Sequence, residues 1–129
     1  MAKMTPKARP KNLDLSTIRL PLPGIVSILH RISGALLFLL GIPFLLVALQ
    51  GSLHSREEFV AVGAFLAHPV VKLALMGFAW AFLHHFCAGI RFLLLDIHKG
   101  VKIESARASS LWVMVISLLL TLISGVALW

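Results

Sequence analysis

An all-α integral membrane protein built on three transmembrane helices is the fold class that the sequence predicts, on three observations. The 129 residues are 59% hydrophobic and only 13% charged, far from the balance of a soluble chain. The apolar residues gather in three stretches, approximately 24–49, 69–95 and 111–129, each close to the ~20 residues that a helix needs to cross the ~30 Å hydrocarbon core. Lipid offers no partner to a bare N–H or C=O, so stretches this long and this apolar must satisfy their backbone internally, as helices.

Residues 1–22 read as a basic segment that precedes a transmembrane domain over residues 23–129. The first apolar stretch follows some twenty polar residues and lacks a small-residue cleavage site, so it is expected to stay in the mature protein. Pro23 suits a first helical turn, where its missing N–H has no intrahelical partner to lose. The loop from Gly51 to His68 carries Ser52, His54, Ser55, Arg56, Glu57 and Glu58 before a mildly apolar run, and a short interfacial helix is expected in it. Pro69 can open the second transmembrane helix, and Gly100 is available as a left-handed cap after it. The third is expected to begin near Ser109 or Ser110 and carries no charge. Trp112 and Trp129 lie about 26 Å apart at ~1.5 Å per residue, so both can sit in interfacial aromatic belts. There is no internal repeat and no low-complexity tract.

The formal charge of +7 is distributed in a way that excludes a nucleic-acid binder. Lys3, Lys7, Arg9, Lys11 and Arg19 precede the first helix and Lys99, Lys102 and Arg107 lie between the second and third, whereas Arg56 is the only Lys or Arg between Leu49 and Pro69. This asymmetry is the positive-inside pattern. It predicts a cytoplasmic N-terminus and second loop, and a periplasmic first loop and C-terminus. The single cysteine, Cys87, falls inside the second helix and reads as a buried, inert thiol.

Ionisable groups deep in a transmembrane helix cost on the order of 2.5–3.5 kcal/mol on insertion scales and ask for a partner. The second helix holds His84, His85 and Arg91. His85 lies about 16 Å from Asp96 at ~1.5 Å rise per residue, near the midplane, where a neutral imidazole can be an axial ligand of haem iron. His84 and His85 point about 100° apart. Small residues flank His85 (Ala81, Ala88, Gly89), while Trp80 and Cys87 join Ala81 and Ala88 around His84, so spacing favours His85. The same spacing also suits two histidines that only bond to neighbouring helices. On the first helix Ser27, His30, Arg31 and Gly34 share one side by i, i+3 and i+4 spacing. They suit either a ligand pocket or side chains that snorkel to the headgroups. An antiparallel second helix would bring Arg91 and Asp96 to their depth, giving a cleft suited to propionates and a quinone carbonyl. Ser117, Thr121, Ser124 and Gly125 on the third helix form a small-residue stripe for helix packing.

Two blocks carry a family resemblance. RPKNLDLSTIRLPLPGIVSILHRISG, from Arg9 to Gly34, and HHFCAGIRFLLLD, from His84 to Asp96, resemble the cytochrome b anchor subunits of bacterial and mitochondrial succinate dehydrogenases. The first looks like that family's RP-x-NLDL segment followed by its SILHR-x-SG motif. The second is similar to its pattern of histidine, G-x-R and aspartate. The resemblance implies that His85 is the haem b ligand, that Ser27 and Arg31 face ubiquinone, and that His30, Arg31 and Arg91 lie near the propionates. The family's aspartate falls on Asp96. Many members carry a histidine directly after the G-x-R arginine, where this chain has Phe92, so that contribution to the haem edge is expected to be absent.

The resemblance further implies a complex in a bacterial inner membrane. A flavoprotein subunit oxidises succinate, an iron–sulfur subunit relays electrons to ubiquinone, and the chain itself is not an enzyme alone. Helices one and three offer no second midplane histidine, so a second membrane-anchor subunit is expected to complete the bundle and supply the other haem ligand. Two other readings compete. A haem-free anchor would keep the fold without the cofactor, and a small transporter would need repeat symmetry or broken paired helices that the sequence lacks.

Overall fold

The computed structural model describes residues 18–128; most of the basic segment and Trp129, for which the sequence raised expectations, lie outside the described residues. The first membrane span is a continuous rod from Leu22 to His54 with three parts: α1 (Leu22–Leu36), a π-helical turn (Leu37–Gly41) and α2 (Ile42–His54). Extended Pro21 precedes it, Pro23 lies in its first turn, and the carbonyl of Pro21 accepts from the N–H groups of Gly24 and Ile25. The π turn has a local cause. Pro43 cannot donate to the carbonyl of Leu39, and in a regular helix its ring would collide with that group. Widening the preceding turn, so that the Ile42 N–H reaches back to Leu37, removes the conflict.

A short helix, α3 (Arg56–Ala67), fills the loop between the first two spans. Ser55 caps it by accepting from the Glu58 N–H at 3.1 Å, and Glu57 and Glu58 sit in the first turn where the helix dipole favours negative charge. His68 caps α4 (Pro69–Asp96) in the same way through Nδ1 and the Val70 N–H. The end of α4 departs from expectation. The N–H groups of His98 and Lys99 bond to the carbonyls of Leu95 and Leu94, the paired bonds of a Schellman motif. His98 itself takes the left-handed position with φ 61°, while Gly100, at φ 77°, serves the turn that follows.

The last helix, α5 (Ile103–Leu128), starts six or seven residues before the expected Ser109 or Ser110. The reason is that hydropathy marks the hydrocarbon slab and not the helix: Glu104 sits in the first turn, where it complements the dipole, and the Ala106 N–H bonds to the Lys102 carbonyl. Helices α1, α4 and α5 pack against one another, and α2 leans on α3. The buried strip of α4 is Ala81, His84, Ala88 and Arg91. That of α5 includes Ser110, Val113, Ser117, Thr121 and Gly125, with Ser124 half-buried beside them, which matches the packing role expected of its small residues. Each buried hydroxyl bonds within its own helix: Ser110 to Ala106, Ser117 to Met114 and Thr121 to Ser117. Cys87 lies half-buried against the core formed by Val26, Ala88 and Val113. Most of the remaining apolar side chains, such as Phe38, Leu45 and Leu122, face outward, as a lipid-exposed bundle requires.

Candidate functional site

Gly34 is where α1 and α4 come closest to the chemistry. A Cβ at that position would lie 2.7 Å from Cε1 of His85, so only glycine lets the imidazole lie flat against α1. The ring of His85 stacks on that of His30, with centroids 4.1 Å apart and planes 8° from parallel. Its Nδ1 is 3.0 Å from the His30 carbonyl oxygen and 3.3 Å from Ser33 Oγ. The Ser33 hydroxyl in turn donates to the same carbonyl at 3.0 Å.

This network leaves one tautomer. A carbonyl can only accept, and the Ser33 proton is committed to it, so the proton of His85 must sit on Nδ1. Nε2 then carries the lone pair. His85 lines an apolar groove of about 590 Å³ with Gly34, Gly41, Phe44, Phe78 and Phe82. A neutral histidine whose far nitrogen donates to a carbonyl is the arrangement that orients a metal-ligating imidazole and raises its basicity. Among the described residues no cluster of three histidine, cysteine or acidic side chains could cage a bare ion. What the groove suits is a flat apolar group whose metal needs one ligand from this chain.

His84 has a different environment. It is fully buried in the bundle, its ring tilted against Trp80 at 5.3 Å. The Val26 backbone faces it, but neither ring nitrogen makes a hydrogen bond of good geometry, and Trp80 Nε1 is likewise without a partner. Ala81 and Ala88, which the sequence placed beside both histidines, belong to this buried strip. The room next to His85 comes instead largely from Gly34 and Gly41 of the first span.

The polar stripe of α1 divides in two. His30 turns toward α4, where Phe92 packs on it at 5.1 Å and Gly89 lies below its Nε2. Ser27 and Arg31 lie on the row that continues to Gly34 and the groove, and Arg31 is exposed. Arg91 makes its hydrogen bonds on the other side of α4. Its Nε donates to Ser109 Oγ at 3.0 Å and its Nη2 to the Ala106 carbonyl at 3.3 Å, which ties α4 to the start of α5. Asp96 is exposed at the end of α4, and neither it nor Arg31 bonds to another described residue. The Arg91 guanidinium also lies 5.3 Å from the centre of the Phe92 ring, the same ring that packs on His30. Ser33 and the π turn were not singled out from sequence. Ser33 falls one turn after His30, and Pro43 inside an apolar stretch was the available signal for the distortion.

Residues 5–124 match the family described as succinate dehydrogenase/fumarate reductase transmembrane subunit. The succinate dehydrogenase cytochrome b556 subunit of Coxiella burnetii is 37% identical over 94% of this chain and 97% of its own length. That of Paracoccus denitrificans is 34% identical over 85% and 84%. The mitochondrial cytochrome b560 subunit of Bos taurus is 35% identical over 92% of this chain and 70% of its own.

The two glycines that border the stacked rings give a paired test. Gly34→Ala is expected to push His85 off His30 and cost about 1–3 kcal/mol of stability, the usual range for overpacking. Gly89→Ala, whose added methyl would meet His30 Nε2 at an ordinary 3.7 Å, is expected to be tolerated. Thermal unfolding in detergent reads the difference, and equal melting temperatures for the two variants contradict the close approach.

Proposed function

This chain belongs to the succinate dehydrogenase/fumarate reductase transmembrane subunit family, and from that premise we propose that it is the haem-b-binding anchor of a succinate dehydrogenase and contributes to its quinone-reduction site. It is a multi-pass membrane protein with an anchoring role in complex II. Its partners in this reading are a flavoprotein subunit, an iron–sulfur subunit and a second membrane anchor.

The observation that carries the reading is His85, held by the His30 carbonyl with Nε2 left free beside an apolar groove. The groove walls are aromatic and aliphatic and give way at Gly34 and Gly41, which fits a flat macrocycle. When bound, haem b supplies one-electron exchange. His85 would hold its metal, and His84, turned into the bundle, does not face the same groove. The other haem ligand would accordingly come from the second anchor. His30 and Arg31 are the donors proposed for the propionates. Arg91, which the resemblance also pairs with them, has two of its donors engaged on α5, and we assign it to holding the bundle together.

Ser27 and Arg31 are the proposed quinone contacts. A hydroxyl can donate to a quinone carbonyl, and a guanidinium stabilises negative charge as the ring is reduced. Their end of α1 is shared by the end of α4 and the start of α5, where Arg19, Lys99, Lys102 and Arg107 gather. The opposite end has Arg56 with Glu57 and Glu58, and Lys72 one turn inside α4. That bias supports a cytoplasmic quinone site in a bacterial inner membrane.

Three measurements test the proposal. His85→Leu is expected to abolish the haem spectrum of the assembled complex while His84→Leu retains most of it; loss from His84→Leu alone contradicts the assignment. Ser27→Ala and Arg31→Leu are expected to lower succinate–quinone reductase turnover by on the order of 10²-fold while succinate oxidation by a dye acceptor persists. Unchanged quinone turnover removes both residues from the site. A reporter fused after Trp129 is expected to be active only in its periplasmic form, and cytoplasmic activity reverses the topology.

A further inference from the structure

The His30 carbonyl receives two side-chain donors, and one of them is the candidate ligand. Ser33 Oγ lies 3.0 Å from it and His85 Nδ1 lies 3.0 Å from it, with 3.3 Å between the two donors. Ser33 is 4% exposed, so water does not compete for either bond. Serine hydroxyls inside spans need only one backbone acceptor; Ser117 and Thr121 each find theirs on their own helix, and Ser110 shares the Ala106 carbonyl with Ser109 and Arg91. Ser33 alone among these shares its acceptor with the candidate ligand.

We infer that Ser33 is a positioning residue that tunes His85 by sharing the His30 carbonyl with it. The inference rests on His85 being the axial ligand. Each donor that a carbonyl accepts reduces what it offers to the next. With Ser33 present, the carbonyl draws the Nδ1 proton less strongly, His85 keeps less imidazolate character, and Nε2 donates less electron density. Ser33 Oγ also lies 3.3 Å from Nδ1, a longer and weaker contact than the 3.0 Å bond to the carbonyl, and it holds the ring parallel to His30 more than it draws the proton. The weakening of the shorter bond to the carbonyl outweighs the longer contact to Oγ, so Ser33 holds the haem potential higher than an alanine in its place would.

The test is redox titration of the haem in membranes carrying the assembled complex. Ser33→Ala is expected to favour the ferric form by about threefold, a fall in midpoint of about 28 mV at ~59 mV per tenfold for one electron. The low-temperature spectrum of the ferric form is expected to shift with it, because the ring plane is released. Ser33→Thr keeps the hydroxyl, and a groove of about 340 Å³ lined by Ser33, Leu29, Trp80 and Ala81 accommodates its methyl, so it is expected to retain the original potential. An unchanged or raised potential in Ser33→Ala overturns the inference, as does an equal shift in the alanine and threonine variants. Should Ser33→Ala fail to load haem, Ser33→Cys, with its weak thiol donor, is expected to lower the potential and is read by the same criteria. His85→Leu separates the two layers. Haem retained in that variant refutes the ligand assignment itself, whereas haem lost there with an unmoved Ser33→Ala potential refutes only the tuning.

Discussion

Hydrocarbon offers no hydrogen bond, and the arrangement of this bundle follows from where each polar side chain finds one. The hydroxyls of α5 turn back on their own helix, which lets that helix present a small, quiet face to α4. Arg91 cannot satisfy itself that way, and it reaches Ser109 and the Ala106 carbonyl on α5. His85 reaches in the other direction, to a backbone carbonyl of α1. One helix is thus fastened on two sides by two polar groups six residues apart. Each such bond is worth roughly 0.5–3 kcal/mol depending on charge, and between helices in lipid measured values lie toward the low end. Their main effect is directional: they fix which face of α4 meets which neighbour.

Much of this was legible in the chain. Three apolar stretches located the three spans, and the two motif blocks contain His30 and His85, whose rings stack on each other. What periodicity could not give was the neighbour that each face meets. Ser27, His30, Arg31 and Gly34 share a helical side, yet His30 turns inward to Phe92 and His85 while Arg31 stays exposed. Arg91 stands at the depth expected of it but faces α5. Helix ends were misjudged for a related reason. Hydropathy records the lipid slab, so it missed the polar turns by which α5 overshoots it, and a glycine rule chose Gly100 where the backbone used His98.

The adjacent histidines show how finely a helix separates roles. A rotation of about 100° puts His85 against a carbonyl and a groove, and His84 among Trp80, Val26 and Ala88. A buried polar atom without a partner costs on the order of 1–3 kcal/mol, and His84 carries two. Such a residue is a standing weakness in the packing. It is also the reason the pair cannot be ranked by burial, since the more deeply buried ring is the one with the less suitable surroundings for a ligand.

The π turn at Leu37–Gly41 divides the first span into halves that are no longer in rotational phase. A π turn amounts to one extra residue in the coil, and each residue advances a helix by about 100°. The N-terminal half, with Ser27, His30, Arg31 and Ser33, is clamped to α4 through His85, whereas the C-terminal half carries Phe44 and Leu45 into the wall of the groove. Adding or dropping a single residue near Gly41 would therefore act as a dial. Such a change would re-aim the wall formed by Phe44 and Leu45, and with it the width and shape of the groove, while leaving every polar contact of the N-terminal half in register.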